Sequence, residues 1–126
     1  MELRKNIRYR SLAKARIDGV TEGETLLKDI SITGCRVECT SYSEITPHTR
    51  YRIEIIPEDP ANIGMFELWA ETSWIRIEGY SGEIGFLIVE SPKKRQFERY
   101  VDYLAWRYAQ GSGKTGSTYP KIPNEV

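Results

Sequence analysis

Short segments of strict two-residue alternation, followed by one long stretch of helical period, constrain this chain more than any other feature. Ala13, Ala15 and Ile17 alternate with Lys14 and Arg16. Cys35, Val37 and Cys39 alternate with Arg36 and Glu38, and Tyr51, Ile53 and Ile55 with Arg52 and Glu54. Successive side chains of a strand point to opposite faces, so this pattern reads as antiparallel strands with one face buried. Leu26–Ile30 and the β-branched Ile84–Val89 add two more segments. Phe66–Glu78 is a longer run whose parity changes: Phe66, Leu68 and Ala70 lie in one register, Ile75 and Ile77 in the other. One extra residue near Glu71–Ser73, a bulge, accounts for the change. Asp18-Gly19, Gly23, Pro57-Glu58-Asp59-Pro60, Ile63-Gly64 and Gly79-Tyr80-Ser81-Gly82 mark turns and loops.

After Glu90 the period becomes helical. Ser91 is a suitable N-cap and Pro92 a suitable first helical residue. Phe97, Tyr100, Val101, Leu104, Ala105 and Tyr108 form one stripe, and Gly111 offers a stop. The expected fold is mostly β: a six-stranded antiparallel barrel with a C-terminal helix packed against it. The expected division is a flexible basic arm over residues 1–10, the barrel and helix over 11–110, and a disordered tail over 111–126. Tyr103 and Trp106 lie off the apolar stripe and are a candidate homodimer contact.

Composition narrows the function. The 126 residues carry 18 Lys plus Arg against 18 Asp plus Glu, and 40% are hydrophobic. A zero charge balance disfavours a polymeric nucleic-acid binder, and no apolar run reaches the roughly 20 residues of a membrane span. Residues 1–6 lack the apolar core of a secretory signal, so a cytoplasmic setting is expected. Cys35 and Cys39 would lie about 13 Å apart along one strand, too far for a disulfide, and read as reduced core residues. His48, the one histidine, follows Pro47 in an expected surface turn without a partner nucleophile. Gly111-Ser112-Gly113-Lys114-Thr115 lacks the first glycine of a phosphate loop, with Tyr108 in its place, and follows a helix rather than a strand. No metal-ligand spacing or nucleophile elbow occurs, and neither a catalytic residue, a metal nor a cofactor is expected.

Two motifs remain. Arg4 and Arg8 form an R-x-x-x-R in the basic arm. Asp29, Ser31 and Gly34 form a D-x-S-x-x-G between two strands, with 20 residues between Arg8 and Asp29. Arginine presents paired donors that match phosphate oxygens or the O6 and N7 of guanine. Aspartate accepts from guanine's donor edge, serine donates or accepts, and glycine permits close approach.

In their order and spacing these motifs resemble those of the PilZ domain family, bacterial receptors for cyclic di-GMP. The Gly34-Cys35-Arg36-Val37 continuation, the Ile84-Gly85-Phe86 strand and the C-terminal helix extend the likeness over residues 2–108. The resemblance implies that Arg4 and Arg8 grip phosphates and guanine edges, that Asp29 and Ser31 read the second guanine, and that Gly34 holds the loop. Trp74 sits where some members place an aromatic that stacks on guanine; barrel core is the alternative reading. Lys5, Arg10 and Arg36 are second-tier ligand contacts, and the apolar Leu3 before the first arginine leans toward a single bound ligand. The implied function is a non-catalytic second-messenger receptor. Its arm orders on binding and changes a surface offered to a downstream protein of motility, biofilm polysaccharide or virulence control. The alternative is a PilZ-type adaptor that binds only protein.

Overall fold

The computed structural model describes residues 7–21, 25–40 and 44–111. Seven strands form in chain order: β1 (Tyr9–Arg10), β2 (Lys14–Ile17), β3 (Thr25–Ile30), β4 (Gly34–Cys39), β5 (Arg50–Ile56), β6 (Phe66–Glu78) and β7 (Ser81–Glu90). A 3-10 turn at Asp59–Ala61 joins β5 to β6, and the helix α1 spans Lys94–Gly111. Every pairing is antiparallel, in the order β3-β2-β5-β6-β7-β4, and a β4–β3 pairing closes the sheet into a six-stranded barrel.

The extra strand β1 lies along the same edge of β3 as β2, with Tyr9 opposite Ile30 and Lys14 opposite Leu26. The two are one strand interrupted at Ser11–Ala13, where the Ser11 hydroxyl accepts a hydrogen bond from Ala13 N at 2.9 Å. The sheet therefore begins at Tyr9, two residues before the expected boundary at residue 11, because the Tyr9 ring is buried.

Alternation fills the barrel as expected. Cys35, Val37, Cys39, Ile53, Ile55, Phe66, Leu68 and Ala70 are fully buried, and both cysteines are free thiols. Of three register shifts, one leaves Val89 as an extra residue on β7, and the other two change which β3 and β6 residues face out. On β6, Thr72 pairs with Phe86 and Trp74 with Gly85, so Ser73 is the extra residue. Continued alternation after Ala70 and Thr72 would bury Trp74; the bulge turns it outward and gives the inner side to Ile75. On β3, Leu27 pairs with Val37 and Asp29 with Arg36, so Lys28 is the extra residue. Asp29 thereby joins the outer face beside Arg36, while Ile30 returns to the core beside Cys35.

Three local expectations need correction. Ile77 is exposed because β6 and β7 run past the end of β5, whose pairing with β6 stops at Arg50–Glu71. The helix starts at Lys94, and the Ser91 hydroxyl is buried without a hydrogen-bond partner, so it caps nothing. The apolar stripe ends before Tyr108, which is exposed and meets the Tyr9 ring edge-on at the rim of the barrel. Phe97, Tyr100, Val101 and Leu104 are buried, and the Phe97 and Tyr100 rings lie 6.1 and 5.9 Å from that of Phe66. Tyr103 and Trp106 are half-buried, 6.0 Å apart at their ring centroids. Among the described residues, no helix is long and apolar enough to cross a membrane.

Candidate functional site

One cross-strand row holds most of the motif chemistry. Arg10 on β1 is opposite Asp29 on β3, Asp29 is opposite Arg36 on β4, Arg36 is opposite Gly85 on β7, and Gly85 is opposite Trp74 on β6. Neighbouring strands lie about 4.8 Å apart, so the row is about 19 Å long. The two bulges are what bring Asp29 and Trp74 into it.

Asp29 is the hub of this row. Its Oδ1 accepts from Arg8 Nη1 at 3.2 Å, and its Oδ2 faces Arg36 Nη2 at 2.8 Å. The carboxylate is only 12% exposed, whereas the Arg8 side chain is 44% exposed and keeps donors free for a ligand. Arg36 also approaches Glu83 at 3.8 Å, and Glu83 pairs with Arg76. Two guanidinium groups are thus held side by side by one carboxylate, an arrangement suited to phosphate or to the acceptor edge of a purine.

The turn after β3 orders itself. Ser31 N donates to the Gly34 carbonyl at 2.8 Å, and the Ser31 hydroxyl accepts from the backbone N–H groups of Thr33 and Gly34, each at 3.1 Å. Ser31 is buried, and in this state its hydroxyl serves the turn. A Cβ on Gly34 would stand 2.8 Å from the Phe86 carbonyl oxygen and 3.1 Å from Arg8 Nη2. The missing side chain is what lets Arg8 lie over the turn.

Trp74 is 39% exposed on the outer face. Its indole lies directly on Gly85, where any side chain would collide with it. The Arg76 guanidinium is 6.0 Å from the centre of the ring. The residue is not barrel core.

Arg4 and Lys5 lie outside the described residues, as does the expected tail from residue 112. Arg4 is four residues before Arg8, a reach of at most about 14 Å. Among the sequence candidates, Arg8, Arg10, Asp29, Ser31, Gly34, Arg36 and Trp74 gather on one face. Sequence reasoning missed Gly85, Glu83 and Arg76 as site neighbours. The strand Ile84-Gly85-Phe86 was visible, but only the β6–β7 register shows which side chain rests on its glycine.

The arm is also tied to the helix. Tyr100 Oη lies 2.8 Å from Ser11 Oγ and donates to Glu58 Oε1 at 2.7 Å. Arg107 binds Glu58 Oε2 at 2.6 Å and the Arg10 carbonyl at 2.6 Å. The Tyr9 and Tyr108 rings meet in a T-shaped contact at 5.8 Å. Burial, and then the bond to Glu58, pushes the Tyr100 phenol above its ordinary range.

No known family model matches the sequence, and no curated protein matches it. Among solved structures, the fold is similar to that of the Bacillus subtilis inhibitor of motility (MotI/DgrA), with a TM-score of 0.70 at 17% identity. The alignment covers 87% of this chain and 53% of that one, so the chain spans about half the length of the protein it resembles. At this identity the likeness is one of fold.

Proposed function

We propose that the protein is a non-catalytic, PilZ-type receptor for cyclic di-GMP. The reading rests foremost on one contact. Arg8, the second arginine of the R-x-x-x-R, binds Asp29, the first residue of the D-x-S-x-x-G, across 21 positions of sequence and directly above Gly34. A cyclic dinucleotide offers two anionic phosphodiesters and two guanines. Arg4 and Arg8 take the phosphates and the acceptor edge of guanine, with Lys5, Arg10 and Arg36 in support. Asp29 and Ser31 take the donor edge, and Trp74 offers a face for stacking.

The switch is an ordering of the arm upstream of Tyr9. Without ligand, Asp29 holds Arg8 while Arg4 and Lys5 add positive charge just upstream of it. Two phosphodiester charges neutralise them and draw the arm over the Ser31–Gly34 turn, changing the surface shown to a downstream protein. The structural neighbour's description as an inhibitor of motility supports motility as the output to examine first.

Three or four charge-assisted hydrogen bonds at roughly 1.5–3 kcal/mol each, less the cost of ordering the arm, correspond to micromolar binding, about −8 kcal/mol. Titration calorimetry of the full chain with cyclic di-GMP tests this, with Arg8→Ala expected to lose at least tenfold in affinity. No wild-type binding near 100 μM, on the order of ten times or more above the expected dissociation constant, removes the reading. Undiminished binding by Arg8→Ala removes the residue assignment. Both oxygens of Asp29 are already engaged by arginines, which favours one second reading: a protein-only adaptor with a self-satisfied site. Ligand-independent capture of one defined partner, without nucleotide binding, is its signature.

A further inference from the structure

A cavity of about 850 Å³ opens where β1 and β2 break, between β3–β4 and the C-terminal half of α1. Arg8, Arg10, Lys28, Arg36 and Arg107 line it, and among the described residues no carboxylate does. The acids that pair with these cations, Asp29, Glu38, Glu58 and Glu83, all stand outside its wall. Lys28 is there because it is the extra residue of the β3 bulge. It is half-buried, its Nζ 3.6 Å from Glu38. Arg107 is fixed at the wall by Glu58 and the Arg10 carbonyl.

The rest of the wall is apolar and uncovered. Leu12 is 70% exposed and Tyr108 is 64% exposed, with Leu26 beside them. A cationic ring next to bare aliphatic and aromatic surface suits a phosphate joined to a flat base. Monoanionic carboxylates would leave the apolar half of the cavity wet, and a purely apolar ligand would leave unused the donors that Arg8, Lys28, Arg36 and Arg107 keep beyond their carboxylate partners.

We propose that this cavity is a second subsite of the receptor, in which Lys28 and Arg107 hold one phosphodiester and Tyr108, with Leu12 and Leu26, receives the attached base. It lies at the β1 end of the row whose other end is Trp74, so the ligand spans the Arg8–Asp29–Arg36 cluster. The inference rests on the cyclic di-GMP reading and adds residues that belong to neither motif. It also makes α1 a direct ligand contact through Arg107 and Tyr108.

Titration calorimetry of the full chain with cyclic di-GMP tests it with four variants. Lys28→Ala is expected to weaken binding about tenfold, the loss of one charge-assisted hydrogen bond, and Lys28→Arg to recover most of that loss. Tyr108→Ala is expected to weaken binding about fivefold, as for a lost stacking contact. Lys14→Ala, an exposed cation outside the cavity, is expected to match wild type. Lys28→Ala is expected to melt at the wild-type midpoint; Tyr108→Ala, which gives up the edge contact with the Tyr9 ring, is expected to melt slightly lower but to stay folded, which circular dichroism checks. Wild-type affinity in both Lys28→Ala and Tyr108→Ala, with Arg8→Ala impaired, overturns the subsite and leaves the receptor reading intact. No wild-type binding overturns both.

Discussion

Gly85 shows how one absent side chain shapes this surface. The Trp74 indole occupies the space that a Cβ at position 85 would need. Gly85→Ala is therefore expected to lift the indole off the sheet, shift its fluorescence emission and weaken cyclic di-GMP binding severalfold. Stability should change little, since Trp74 is already partly exposed; an unchanged spectrum and affinity would show that the indole does not depend on this seat. The buried thiols make a separate statement. Burial pushes Cys35 up to about 12 from the ordinary 9.0, and raises Cys39 as well. With the raised Tyr100, these groups keep their protons in the folded chain at pH values where the unfolded chain would lose them. Their contribution is fully present below about pH 9 and is lost as pH rises toward 12. Urea unfolding is expected to give constant stability from pH 7 to 8 and a clear fall by pH 10.5. A flat profile to pH 11 contradicts these environments.

At the scale of elements, the strands were legible where one face is uniformly apolar. β4 and β5 follow directly from Cys35-Arg36-Val37-Glu38-Cys39 and Tyr51–Ile55. The β6 bulge was legible as a parity change and falls at Ser73. The β3 bulge was not, because Leu26, Leu27 and Ile30 place apolar residues on both parities and no phase error stands out. Neither were Gly85, Glu83 and Arg107 as site neighbours: Gly85 and Glu83 reach Arg36 only through the β4–β7 pairing, and Arg107 reaches the Arg10 carbonyl across 97 positions of sequence. Of the site itself, Arg8, Asp29 and Gly34 were legible because local spacing fixes them. The join between arm, loop and helix is also a long-range product. Tyr100→Phe removes the hydroxyl shared by Ser11 and Glu58, and is expected to cost about 1–3 kcal/mol in urea unfolding. A loss below a few tenths of a kcal/mol would mean that this junction does not hold α1 to the strand break.

For the whole molecule, zero net charge conceals a polarised surface. The cations of the arm and the β3–β4 face converge where Arg8, Arg36, Lys28 and Arg107 meet, while their carboxylate partners stand behind them. Under the proposed function, such a face is expected to draw a small dianion without making the chain a general polyanion binder. The Arg107 bond to the Arg10 carbonyl links the first strand to the helix. The most direct measurement is a backbone amide NMR map of the full chain with and without cyclic di-GMP. Arg8–Arg10, the Asp29–Gly34 turn and the Trp74 indole N–H are expected to shift together, in one saturable transition. Residues on the opposite β2–β5 wall, such as Arg16 and Glu54, should stay in place. Shifts confined to that wall, or none at all, would contradict the receptor reading.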